Sequence, residues 1–340
     1  MNPKRAEEAE TRTLTFIRRK SFLAFTPMKA NSSDSKNVMQ TRPITSEDLA
    51  KSVIAVPPMA RDKNLKFDRS ENEKIIRHIE AGNVSTLLYG GNANFYHIAL
   101  NEFEDVLAQL SELAGEDTLV VPSVGPSYGM MMEQAAIVKQ TDYPTVMVLP
   151  QQGITTSEGV VAGLRNFAEK AGKPIVLYIK YGDFITVEGA KQLVDDGIVS
   201  WIKYAIVQEN PAVDPYLTKL VDTVDPSIIV SGIGEQPVIE HLVDFGITGF
   251  TAGCVCIRPD LSDQLLKAVQ ANDLNRAREI QKIFEPLEDL RNGINPIRVL
   301  HEAVRLAGIA DTGPPLPLLN GITDAEDALV KEAAVALLNA

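Results

Sequence analysis

PIVLYI at 174–179 and VSWIKY at 199–204 are the two stretches that decide how this chain folds. Each is a short apolar run rich in β-branched and aromatic residues, the composition of a buried strand. Between them, 187–195 (VEGAKQLVD) reads as a short amphipathic helix. Two such runs joined through a helix form a βα unit with parallel strands, since a hairpin needs only a few residues. The second run ends on Lys203, an amine among Val, Ile, Trp and Tyr. Desolvation disfavours the charged form, so such a Lys can lose its proton near neutral pH and attack a carbonyl. The same position also fits a Lys turned outward into solvent at a strand end.

Outward from this unit the alternation repeats. Further strand candidates are 52–57, 84–89, 118–123, 145–149, 227–232 and 247–253, and helix candidates lie near 68–81, 99–114, 128–140, 156–171, 214–223, 235–245 and 260–271. The strands are continuously apolar, as parallel strands covered on both faces are. Eight strands in strict βα alternation give the count of a (β/α)8 TIM barrel. An open doubly wound sheet would usually carry a Gly-rich loop after its first strand. Here that junction is Pro57-Pro58-Met59-Ala60-Arg61-Asp62, with no glycine. Three more helical stretches, near 273–290, 296–307 and 324–338, form a C-terminal helical appendage. The expected organisation is an N-terminal extension over 1–47, a barrel over 48–272 and a helical region over 273–340.

The chain has 340 residues, 45% of them hydrophobic and 23% charged, as in a water-soluble globular protein. No apolar run is long enough to span a membrane, and a formal net charge of −12 argues against nucleic acid. The first 40 residues hold eight Lys or Arg against four acids, which suits a flexible tail better than a targeting signal. Two cysteines, Cys254 and Cys256, are too few for a disulfide framework, so a reducing cytoplasm is expected. Two apart on a strand, they would share a core-facing side. His78, His97, His241 and His301 show no metal-ligand spacing. Neither a metal nor a cofactor is expected.

In a barrel the active site lies at the C-terminal ends of the strands. That rule selects Tyr89-Gly90-Gly91-Asn92 after strand two, Gln151-Gln152 after strand four and Tyr178-Ile179-Lys180 at strand five. Strand six contributes Lys203, and strand seven Ser231-Gly232. A Tyr and a Lys on adjacent strand ends can both point inward, a phenol beside a nucleophilic amine.

At these residues the chain resembles the dihydrodipicolinate synthase and N-acetylneuraminate lyase family of Schiff-base aldolases and dehydratases, from about 50 to 325. Ile202-Lys203 stands where the family has its Schiff-base Lys, and Val176-Leu177-Tyr178 where it has a strand-five Tyr. Leu88-Tyr89-Gly90-Gly91-Asn92 stands where it binds a keto acid carboxylate, and Asn295-Pro296-Ile297 matches its C-terminal pattern. The resemblance implies that Lys203 condenses with pyruvate or a longer 2-keto acid while Tyr178 shuttles protons. It places the carboxylate on the N–H groups of Gly91 and Asn92, Gln152 and Lys180 near the substrate, and Gly232 along the pocket. It also implies a homo-oligomer, dimer or tetramer. Departures mark a divergent member. Gly90-Gly91-Asn92-Ala93-Asn94 replaces the family's Thr-bearing loop, Gln152 stands where synthases have a relay Tyr, and Ile179 replaces an Asn. These changes argue against dihydrodipicolinate synthesis itself. They leave a lyase for another keto acid or sugar acid, or a degenerate barrel that binds one without turnover. A metal-dependent aldolase would need a His and carboxylate cluster that the spacing does not offer.

Overall fold

The computed structural model describes residues 39–340. Eight parallel strands close into a barrel in the order β1-β2-β3-β4-β5-β6-β7-β8. They are β1 Ile54–Ala55, β2 Thr86–Tyr89, β3 Leu119–Val124, β4 Val146–Val148, β5 Ile175–Ile179, β6 Val199–Tyr204, β7 Ile229–Ser231 and β8 Gly249–Ala252. β1 pairs with both β2 and β8, so no edge is left open. The helices are α1 Ser46–Lys51, α2 Arg69–Ala81, α3 Leu100–Leu113, α4 Tyr128–Val138, α5 Ser157–Ala171, α6 Val187–Asp195, α7 Pro215–Val221 and α8 Pro259–Gln270. α9 Leu274–Gly293, α10 Pro296–Leu306 and α11 Asp324–Leu338 complete the chain. The TIM barrel with a helical appendage read from the sequence is thus the observed fold.

Local chemistry explains the boundaries. Asp68, Thr156, Thr186 and Asp214 each accept the N–H three residues on, starting α2, α5, α6 and α7. Asn295 accepts from Ile297 and Arg298 N–H with Pro296 next in line, so the Asn-Pro-Ile motif is the start signal of α10. α9 packs against α8, α10 and α11, which ties the appendage to the barrel wall.

Three expectations are corrected. Residues 1–38 lie outside the described residues, but 39–47, read as part of a flexible extension, belong to the fold. Met39 is buried, Gln40 N–H donates to Thr118 O at 2.9 Å, and Thr45 caps α1. The helix expected over 235–245 is a wide π-type turn, Glu240–Asp244, ended by Gly246 at φ +68°. Cys254 and Cys256 are buried but sit in a 3₁₀ turn after β8, where two-residue spacing no longer means a shared face. Among the described residues no helix is long and apolar enough to cross a membrane.

Candidate active site

β5 and β6 run in register with Tyr178 opposite Lys203. Both side chains therefore leave the sheet on the same side, and the Lys203 ammonium nitrogen lies 4.5 Å from the centre of the Tyr178 ring. Lys203 is only 6% exposed, so its amine has given up most of its water. Burial, followed by the positive charges of Lys180 and Arg291, brings it down to about 7 from the usual 10.5. Near neutral pH a large fraction of this Lys is thus the uncharged nucleophile. Burial acts in the opposite sense on Tyr178, aided by the nearby phenols of Tyr96 and Tyr181, and holds its hydroxyl protonated. The amine thus lies over the ring of a phenol that keeps its proton.

Gly232 makes room for the amine's stem. A Cβ there would stand 2.8 Å from Ala205 Cβ and Tyr204 O and 2.9 Å from Lys203 Cγ. Two of these neighbours are rigid and the third is the catalytic candidate. Gly232→Ala should therefore cost roughly 1–3 kcal/mol, read by urea denaturation, and should displace Lys203. Unchanged stability would mean that the strand ends relax freely.

The turn after β2 is closed by Ala93 and Phe95 N–H groups on Gly90 O and by Asn94 N–H on Gly91 O. Among the described residues the Gly91 and Asn92 N–H groups donate to no backbone carbonyl. The Asn92 side chain is committed elsewhere, its Nδ2 donating to Val56 O at 2.9 Å. It braces the end of β2 against the end of β1. Lys180 lies just past β5, exposed, with its amine 5.4 Å from the Tyr181 ring. Gln152 is exposed on the loop after β4. A cavity of about 710 Å³ between α4 and α5 is lined by Tyr128, Gln151, Asn166 and Phe184, among others, but by neither Gln152 nor Lys203. Neither Lys203 nor Tyr178 lines that cavity.

Three of the four histidines have hydrogen-bond partners other than Lys203. His78 meets Ile257 O, His241 meets Ser231 Oγ and His301 meets Gly313 O, while His97 ends the 3₁₀ turn after β2. What spacing did not disclose is a polar cluster beside β7 and β8. Donor atoms of Glu235, Cys254 and Glu288 lie within 4.8 Å of one another, all buried. Arg291 Nη1 donates to Glu288 Oε1 at 2.8 Å, so a guanidinium already supplies the positive charge. Burial, then the neighbouring Glu288, pushes Glu235 well above the usual carboxylate range, so Glu235 keeps its proton. The cluster reads as an ion network built on Arg291, with Glu235 Oε2 and Glu288 Oε2 buried and without a hydrogen-bond partner among the described residues. Residues 235, 254, 288 and 291 are too far apart in sequence for any motif to have joined them.

The sequence profile of the Dihydrodipicolinate synthetase family matches residues 50–335. The chain belongs to this family. A 4-hydroxy-tetrahydrodipicolinate synthase from Methanopyrus kandleri is 24% identical over 284 residues, 82% of this chain and 92% of that protein. The fold is also that of a sialic acid aldolase from Ruminococcus gnavus, with a TM-score of 0.76, 16% identity and coverage of 85% of this chain and 97% of the other. It is shared with an E. coli prophage protein of the dihydrodipicolinic acid synthase family solved with pyruvate, at a TM-score of 0.73, 18% identity and coverage of 84% and 98%. Membership in the dihydrodipicolinate synthetase family supports aldolase-type Schiff-base lyase chemistry in general.

Proposed function

We propose that this protein is a Schiff-base lyase, aldolase or dehydratase, acting on pyruvate or a longer 2-keto acid through Lys203. The observation that carries this reading is the buried amine lying over Tyr178 across one strand register. The uncharged amine attacks the keto carbon, and the carbinolamine then loses water to give the imine. Loss of water requires a proton on the departing hydroxyl, which the protonated Tyr178 phenol can donate. The substrate carboxylate meets the N–H groups of Gly91 and Asn92, and Lys180 adds positive charge at the mouth. Gly232 keeps the wall beside the imine clear. A structural relative solved in complex with pyruvate agrees with the substrate class.

Borohydride trapping with a panel of 2-keto acids tests this directly. The expected result is one substrate mass, reduced, on Lys203. Trapping should also follow the amine. Its initial rate at fixed keto acid should rise about tenfold per pH unit below 7 and level off above it, since only the deprotonated amine reacts. A rise that continues to pH 10 would mean a solvated, ordinary Lys.

A second reading is a barrel that binds a keto acid or sugar acid without turning it over. It is favoured by the engaged Asn92 amide and the exposed Gln152, which stand where relay hydroxyls are expected. A ligand-induced thermal shift that survives Lys203→Ala, with no adduct on the parent chain, would select it.

A further inference from the structure

The C-terminal region reaches the same end of the barrel as Lys203. The segment joining α9 to α10 lies across the catalytic end of the barrel. Ile297 Cδ1 approaches within 3.9 Å of where a Gly91 side chain would start, and Arg291 occupies the corresponding place at Gly253. A Cβ on Gly253 would stand 2.6 Å from the guanidinium carbon, and a Cβ on Gly234 would stand 2.7 Å from Glu288 Oε2. Gly234 also has φ +104°, a conformation closed to most side chains. The ends of β7 and β8 are thus bare where one ion pair from α9 sits down, two residues beyond the Gly232 that supports Lys203.

We propose that the Arg291–Glu288 pair is a positioning element of the Lys203 site, a buried ion pair that α9 seats on the bare ends of β7 and β8, where the Arg291 charge acts on the amine. Glu288 is fully buried and Arg291 is 7% exposed, so the charge is fixed in place and poorly screened. Glu235 holds the far side. Its Oε1 accepts from Ser262 Oγ at 2.9 Å, and burial keeps it protonated. The direction of the effect at Lys203 agrees, since Arg291 is among the charges that disfavour the ammonium. The other groups facing the amine are Tyr178 and Lys180 from the β5 side. Cys254, Cys256, Glu235 and Glu288 surround Arg291 itself. Burial holds both thiols protonated, so they add no charge.

The role proposed for the pair rests on Lys203 being the Schiff-base residue, and its test is kept independent of turnover. Competitive labelling of the full chain with acetic anhydride from pH 5 to pH 10, read by mass spectrometry, gives the titration midpoint of Lys203 without any substrate. Arg291→Met should raise that midpoint by about one unit, roughly fivefold less labelling at pH 7. Arg291→Lys, which keeps the charge, should hold the midpoint near the parent value. Arg291→Met alone leaves Glu288 buried and unpaired, so the double variant Arg291→Met with Glu288→Gln serves if the single one does not fold, with a smaller shift in the same direction expected. A folded variant whose midpoint matches the parent overturns the proposal. Trapping on the parent chain separates the two claims. A shifted midpoint with no keto acid adduct removes the lyase reading and keeps the role of the ion pair, and an adduct with an unmoved midpoint does the reverse.

Discussion

Lys203→Met is expected to abolish borohydride trapping with every 2-keto acid and, at the same time, to make the chain more stable at mildly acidic pH. The first result follows from chemistry, since a thioether forms no imine. The second follows from linkage. The amine titrates at about 7 in the fold and near 10.5 once unfolded. Between those values the unfolded chain holds a proton that the native one does not, so native stability from this group falls as pH falls from 10.5 to 7. Below 7 the fold carries a buried charge at full cost. Met fills nearly the same space and does not titrate. The gain of Lys203→Met over the parent should therefore be roughly 4 kcal/mol larger at pH 6 than at pH 10, by urea denaturation at each pH. An adduct that persists in the variant would place the chemistry on another amine, Lys180 first. A gain independent of pH would mean that Lys203 titrates as a solvated residue.

That Lys203 was legible at all comes from how parallel strands are built. VSWIKY (199–204) coincides with β6, and PIVLYI overlaps β5 save for its first residue. Barrel order makes β5 and β6 neighbours, so two strand ends read separately brought Tyr178 opposite Lys203 without any long-range information. Gly232 was legible for the same reason, as the end of the next strand. Side-chain commitments were less visible. Asn92 reads as a substrate ligand, yet its amide meets Val56 O, the end of a strand 36 residues away, and only the closed barrel brings those ends together. Glu288 and Arg291 lie on a helix whose pattern satisfies any surface appendage. Nothing local shows that their tips settle on Gly234 and Gly253, because the glycines that admit them read as ordinary turn residues. α1 was missed because six residues are too few for a helical period to stand out, although Thr45 with Asp48 is a capping box.

Tyr178→Phe should separate the two halves of the proposed chemistry. The ring that lies under the Lys203 amine is kept, so the pocket and the amine's desolvation are kept with it. Only the hydroxyl is lost, and among the described residues no side chain or carbonyl claims that hydroxyl as a hydrogen-bond donor in the resting structure. Slow imine formation should survive, and pyruvate should still be trapped on Lys203. Steps that need a proton delivered at the strand ends should slow by about 10²–10⁴. Exchange of the pyruvate methyl protons with deuterated solvent, followed by proton NMR, reads those steps without knowledge of the second substrate. The exchange passes through imine formation, loss of a proton to the enamine and its return. Tyr96 is the phenol closest in role, since it already acts on Tyr178 through the field. If Tyr178 were merely a barrel-lining aromatic, Phe would serve as well and exchange would fall less than about tenfold. That outcome would leave Lys203 reactive but return the proton transfers to solvent or to Tyr96, which Tyr96→Phe in the same assay would then expose.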